Sequence, residues 1–369
     1  MIDSIRFDPS YSNSYITLHA LGRIHFGLWE ISESQPNCYG GIGLMIKHSS
    51  ALINARVSSS SMNQNCEIKA DDYWLPRIES LTNEWLSSHS QLPVSMIDVH
   101  KSPTPHRGLG SGTQMACAIA SLLFLDQSAL SLFQRNRLDK DTSHVPISQL
   151  LPRSANSTHT QMVDDQIKML AKLGKRGTRS NIGLFGFLAG GFIIDQGRSI
   201  QGESDASTQP RTRRVEFPDW PVIAIHDDSS TGDSGMVETE MFDRCSRVPN
   251  PNRQAMMDLV NHEILPAIQF EDWKRFDKAI GQYGRFAGQI FAPAQGGVYR
   301  SEKIAHTIEV ANKLGIIGAT QSSWGPTVVA IATDVDQAHW FEKNLKKRLP
   351  HLNIEIAMAA NHSAQAWVP

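Results

Sequence analysis

The sequence predicts an α+β protein of two domains, and three observations carry that reading. The chain has 369 residues, more than one small core organises and enough for two. Its first part mixes alternating apolar stretches with stretches of helical period, whereas its last part places helices before and between strands. Between these parts, residues 198–214 are polar, proline-containing and without periodicity, which reads as a mobile loop or an interdomain linker. The expected division is residues 1–200 and residues 214–369.

Residues 15–26 alternate apolar and polar side chains and predict a strand. Residues 43–46 and 51–57 predict two more, paired as a hairpin, and residues 58–65 are a Ser/Asn/Gln-rich connector. Trp74, Ile78, Leu81 and Trp85 recur at helical spacing and predict a helix over 71–89. A short strand, 94–100, then feeds a glycine loop and an Ala/Leu/Ile-rich helix over 114–125. Further on, 162–173 is helical, 174–191 is a second glycine-containing segment, and 192–195 is a strand. Beyond the polar segment come a strand (222–226) and helices at 254–268, 273–291 and 301–314. The chain closes with a strand (328–333), a helix (337–348) and a strand (354–358).

The bulk composition excludes several function classes. A formal charge of −2 gives no electrostatic case for a nucleic-acid or membrane partner. No apolar run approaches the ~18 residues of a membrane span. The N-terminal residues lack a basic region followed by an apolar run, so a cytoplasmic location is expected. Cys38, Cys66, Cys117 and Cys245 are scattered, which argues against a zinc ribbon or a disulfide framework.

Five segments have side chains suited to chemistry. The first is the loop from His106 through Arg107, Gly108, Leu109, Gly110, Ser111 and Gly112 to Thr113. Its glycines let backbone N–H groups approach a ligand, and the helix that follows adds unpaired donors and a positive dipole end. Ser111 and Thr113 add hydroxyls; His106 and Arg107 add positive charge. This is an anion site for a phosphorylated small molecule, against the plainer reading of a flexible turn with a helix cap. It has neither the Gly-Lys-Ser/Thr of a Walker A loop nor the spacing of a dinucleotide fingerprint. The second segment places Arg23 and His25 on one face of a strand, as an anion site or as a solvated face. In the third, Lys175, Arg176 and Arg179 are interleaved with Gly174 and Gly177, and Ser180 follows. Such a loop suits a polyphosphate or phosphosugar, or is simply basic surface. The fourth, residues 223–235, offers Asp227 and Asp228 as weak magnesium ligands. The fifth, residues 321–327 with Ser323, is a polar turn that could close over a ligand.

Together these segments resemble the GHMP kinase superfamily of small-molecule kinases. Gly108-Leu109-Gly110-Ser111 is similar to its nucleotide-phosphate motif. The departures are specific: Gly112-Thr113-Gln114 replaces the usual serine and alanines, and Arg179-Ser180-Asn181-Ile182-Gly183 has no acid where the catalytic aspartate normally stands. Residues 321–327 replace the glycine-rich third motif. One branch, the β-ribofuranosylaminobenzene 5′-phosphate synthases, is similar on each of these points and also in Arg23-Ile24-His25-Phe26-Gly27 and Gly190-Gly191-Phe192.

The resemblance implies a ribosomal-S5-domain-2-like N-terminal domain and a ferredoxin-like C-terminal domain. It further implies condensation of phosphoribosyl diphosphate with 4-amino- or 4-hydroxybenzoate, releasing CO2 and pyrophosphate, in methanopterin-type cofactor biosynthesis. Magnesium (Mg2+) would be the cofactor and a homodimer the assembly. Arg23, His25 and Arg179 take the catalytic roles. The diphosphate falls to Gly108, Gly110, Ser111, Gly112 and Thr113 with Arg107 nearby. Lys175, Arg176 and Arg179 are candidates for the 5-phosphate or the carboxylate, Arg23 and His25 for either anion, and His106, Ser180 and Ser323 complete the substrate-binding set. Two alternatives stay open: an ATP-dependent kinase drawing its acid from Asp164 or Asp165, and an inactive ligand-binding protein of the same fold.

Overall fold

The computed structural model describes residues 15–35, 37–58, 63–126, 128, 144–153, 159–199, 211–228 and 236–367. Two antiparallel-dominated sheets organise them. The larger runs β4 (Glu67–Lys69), β5 (Val94–Lys101), β3 (Gly41–Val57), β1 (Tyr15–Leu28), β14 (Gln365–Trp367) and β6 (Val145–Pro146), with β7 (Phe192–Asp195) and β9 (Thr212–Val215) added beside β3; a separate short pair joins β2 (Asn37–Cys38) to β8 (Arg198–Ser199). The residues expected as a two-strand hairpin are one long strand, β3. Its polar middle, around Lys47 and His48, interrupts the apolar pattern, and pairing with β1 shifts register there, between Ala20 and Gly22.

That shift decides what faces the ligand. Before it, Ile16, Leu18 and Ala20 pack beneath the helices; after it, Ile24 and Phe26 pack into a second core. A register irregularity exchanges the two faces of a strand. Arg23 and His25 consequently turn toward the start of a helix rather than into the sheet's apolar layer.

Four helices cover one face of the large sheet: α1 (Leu75–Ser88), α2 (Ser111–Leu123), α3 (His159–Gly174) and α4 (Ile182–Ala189). Trp74, Ile78, Leu81 and Trp85 are buried as their spacing predicts. α4 lies in the second glycine-containing segment, where the sequence predicts no helix. Apart from two glycines its residues are apolar, and it is buried almost all round, so no polar face signals a helix.

The second sheet, β11 (Thr320–Gln321), β12 (Val328–Ile331), β10 (Val222–His226) and β13 (Asn353–Ala357), has the 2-3-1-4 order of a ferredoxin-like unit. Helices α8 (Glu302–Lys313) and α9 (Val335–Arg348) pack on it through Ile304, Ile308, Phe341 and Leu345. Three further helical pieces precede them: α5 (Met236–Cys245), a run α6 (Arg253–Asp258, Leu259–Ile264 and Leu265–Gln269, the middle part π-helical) and α7 (Trp273–Gln295). A core of Ile24, Phe26, Ile42, Phe192, Phe217, Met256, Phe276, Tyr283 and Val329 joins the two units.

The chain does not divide cleanly at residue 200. β9 overlaps the end of the expected linker and extends the first sheet, and β14 pairs with β1, Ala366 opposite Leu18. Residues 200–210 of the expected linker and 229–235 of the fourth segment lie outside the described residues.

Candidate active site

The glycine loop sits at the junction of the two units. Gly110 is the N-cap of α2 with φ +74°, a left-handed conformation that favours glycine, and no side chain caps the helix. Thr113 N and Gln114 N both donate to the Gly110 carbonyl at 3.0 Å, so the first-turn amides left without a described acceptor are those of Ser111 and Gly112. Gly108 crosses Gly325 so closely that a Cβ on Gly325 would stand 2.2 Å from the Gly108 Cα.

The turn 321–327 straps the loop rather than standing apart as a free flap. Ser322 Oγ donates to the Gly108 carbonyl at 2.8 Å, Thr327 Oγ1 to the Arg107 carbonyl at 2.6 Å, and Ser323 N to the His25 carbonyl at 2.7 Å. Arg23 N donates to Leu109 O at 2.9 Å, which completes a brace between loop, β1 and turn.

Beside this brace lies a cavity of about 400 Å³. Arg23, His25, Thr113, Lys175, Arg176, Arg179, Ser180 and Ser323, drawn from four separate sequence segments, all line it. Gly110 and Gly112 stand just behind: a Cβ on Gly110 would meet Arg23 Nε at 3.0 Å, and one on Gly112 would meet Arg176 Nη2 at 3.1 Å. Ser111 is buried at the first position of α2. No aspartate or glutamate is among the described lining residues.

His25 is not a cation here. Burial, and then the Arg23 charge, hold its pKa well below the usual imidazole value. Its Nδ1 accepts from Gly27 N at 3.1 Å, so the neutral ring carries its proton on Nε2 as a donor. Lys175 reaches Glu84 on α1 at 2.9 Å. Ser180 Oγ donates to Asp195, whose carboxylate also accepts from Asn181 N at 2.7 Å and Gly197 N at 3.0 Å. Asp195 is buried, and burial raises its pKa; it shapes the basic loop from behind without lining the cavity.

Sequence reasoning missed the opposite wall. Phe242 of α5 and Phe291 of α7 meet Trp324 of the turn, with ring centroids 4.4 Å (Phe291–Trp324) and 5.1 Å (Phe242–Trp324) apart. The Arg179 guanidinium lies 3.8 Å from the centre of the Phe242 ring, linking the basic end to the aromatic one. Gly284, Ala287 and Gly288 leave bare backbone and a single methyl group along the cavity face of α7.

Other predicted residues lie elsewhere. His106 Nε2 bonds Tyr73 Oη at 2.6 Å, outside the cavity lining. Arg107 turns toward the second sheet, donating to the Asp227 carbonyl at 3.1 Å and to Asp228 Oδ1 at 2.6 Å. Asp227 also pairs with Lys303 at 3.0 Å, and Asp228 with His226 at 3.4 Å. Each carboxylate thus already has a cationic partner, Lys303 for Asp227 and Arg107 for Asp228. Among the described residues no group of three His, Cys, Asp or Glu could hold a metal. The donor set does not fit a magnesium cage, which takes carboxylates and waters around a hard cation. Asp164 and Asp165 lie on α3 outside the cavity lining, where Asp165 pairs with Lys168 at 3.8 Å.

The fold and this junctional cavity define the class: the chain has the GHMP kinase fold. It superposes on phosphomevalonate kinase from Streptococcus pneumoniae with a TM-score of 0.59, at 14% identity over 94% of this chain and 100% of that one. Mevalonate kinase from L. major gives 0.58 at 14% identity, over 93% and 95% of the chains. No family model matches the sequence. Across nearly its full length, however, the chain is homologous to enzymes named β-ribofuranosylphenol 5′-phosphate synthase. The Archaeoglobus fulgidus protein is 25% identical over 90% of this chain and 91% of its own length. The Methanothermobacter thermautotrophicus protein is 22% identical over 86% and 89%, respectively.

Proposed function

We propose that the chain transfers a 5-phosphoribosyl group to the ring carbon of a para-substituted benzoate, with loss of pyrophosphate and CO2. The observation that carries this reading is a cavity with four basic side chains at one end, an aromatic wall at the other, and no described carboxylate between them. A kinase activates its acceptor hydroxyl with a base or orienting acid. An electron-rich ring attacked at its ipso carbon needs none, because that carbon has no proton to lose.

In this reading the bond from C1′ to the diphosphate oxygen breaks, and the electron pair leaves with pyrophosphate. The amides of Ser111 and Gly112 and the hydroxyls of Ser111 and Thr113, with Arg23 and Arg176, stabilise the departing charge. Ring π electrons form the C–C bond. The bond to the carboxyl carbon then breaks, and its electrons restore the aromatic sextet as CO2 departs. His25, held neutral, offers its Nε2–H as a fixed donor, and Arg179 binds a carboxylate or phosphate oxygen against Phe242. Magnesium in this scheme is cargo of the diphosphate, and the protein carboxylates described here supply no ligand set for it. The relatives' names favour the phenol acceptor, and a step in methanopterin-type cofactor synthesis is the corresponding role. The test is mass spectrometry of the products formed from phosphoribosyl diphosphate with each benzoate. A C-ribosyl phenol or aniline phosphate is expected; substrate-dependent ADP formation from ATP, without any such product, would replace this reading with a kinase.

A further inference from the structure

Two guanidinium groups converge on one bare backbone position. Arg77 projects from the first turn of α1, and Arg176 follows the end of α3. A Cβ placed on Gly112 would lie 3.1 Å from Arg176 Nη2 and 3.5 Å from Arg77 Nη1. Neither arginine forms an ion pair with a carboxylate among the described residues, although neighbouring Lys175 pairs with Glu84. The Nε of Arg176 is buried without a partner, and burial lowers the pKa of Arg77, which Tyr73 offsets in part.

Two like charges at the positive end of a helix repel each other and the helix dipole. Ordinary packing would place a carboxylate there. An anion with several oxygens and more than one charge relieves all three repulsions at once, and paired guanidinium forks match phosphate geometry. Arg176 also lines the cavity, whereas Arg77 does not, so the two side chains mark a path from the cavity to the outer side of Gly112.

We infer that Arg77 and Arg176 clamp the terminal phosphate of the leaving diphosphate, an inference that rests on the phosphoribosyl reading above. The ester-linked phosphate then lies at Thr113 and Arg23, with C1′ in the cavity facing the aromatic wall. The 5-phosphate falls to the other cations.

Calorimetric titration of the full-length chain with inorganic pyrophosphate, and separately with ribose 5-phosphate, tests the assignment. Arg77→Met is expected to weaken pyrophosphate by about tenfold or more, the scale of a lost charged hydrogen bond, and to leave ribose 5-phosphate within about twofold. Arg77→Lys should recover part of the loss, restoring charge but not the fork. A melting temperature matching the parent's establishes that the variants are folded, and Arg176→Met repeats the test from the other side of Gly112. Unchanged pyrophosphate affinity in both Met variants overturns the clamp, as does an equal loss for the two ligands or no binding by the parent chain. Pyrophosphate binding as expected, with no product from phosphoribosyl diphosphate and a benzoate, leaves the anion clamp standing and removes the synthase reading instead.

Discussion

The two flanks of the glycine loop carry the same residue type in opposite electrostatic states. On the flank facing the second sheet, Arg107 is neutralised by Asp228, and nearby Lys303 by Asp227; His48 and Glu355 add a further pair. On the flank facing the helices, Arg176 and Arg77 approach Gly112 with no carboxylate of the described chain beside them. A cation whose partner is built into the protein holds the fold; one left with an electrostatic deficit awaits a ligand. The difference lies in tertiary partners, not in the local sequence.

The sharpest break in that comparison would come from Arg176→Met, expected to lower kcat/KM by about a hundredfold through a lost charge-assisted contact, with little change in melting temperature. Phe291→Ala, on the aromatic wall, is expected to raise KM for the benzoate about tenfold, beyond its cost in packing. A proportionate effect on phosphoribosyl diphosphate would show that the wall does not hold the ring. Arg107→Met should act the other way round. It removes a pair whose acid is half-exposed, so the stability loss is about 1 kcal/mol in a denaturant titration, with kinetics near those of the parent. An activity loss matching that of Arg176→Met would erase the distinction between the flanks.

The smallest effect concerns acid stability. Burial, with the nearby charges of Lys101, His362 and His144, lowers the His19 pKa to about 4. The unfolded chain therefore binds more protons than the folded one between about pH 6.5 and 4, and stability falls as pH drops through that window. His19→Gln should flatten that part of the curve in thermal melts; an unchanged slope would show that His19 is not its source.

The loop was legible because its chemistry is local: glycines, hydroxyls and a following helix are contiguous in sequence. Arg23 and His25 were legible as a pair two residues apart on a strand. The aromatic wall was not, since Phe242, Phe291 and Trp324 come from two helices and a turn that meet only in the folded chain. Arg77 was hidden for the same reason, among helix residues whose apolar spacing explained the segment already. Arg107 and Arg176 look equivalent as letters, and only the distant Asp228 separates them. β14 is equally non-local: its three residues find their partners on the first strand, at the far end of the chain.

The central claim is that the cationic cavity expels pyrophosphate and forms a carbon–carbon bond without a protein base. Its most direct measurement pairs carboxyl-labelled 4-hydroxybenzoate with phosphoribosyl diphosphate and counts labelled CO2 against pyrophosphate. Equal amounts, formed only when both substrates are present, are the predicted result. Pyrophosphate without CO2, or neither product alongside phosphoryl transfer from ATP to a small alcohol, would contradict it.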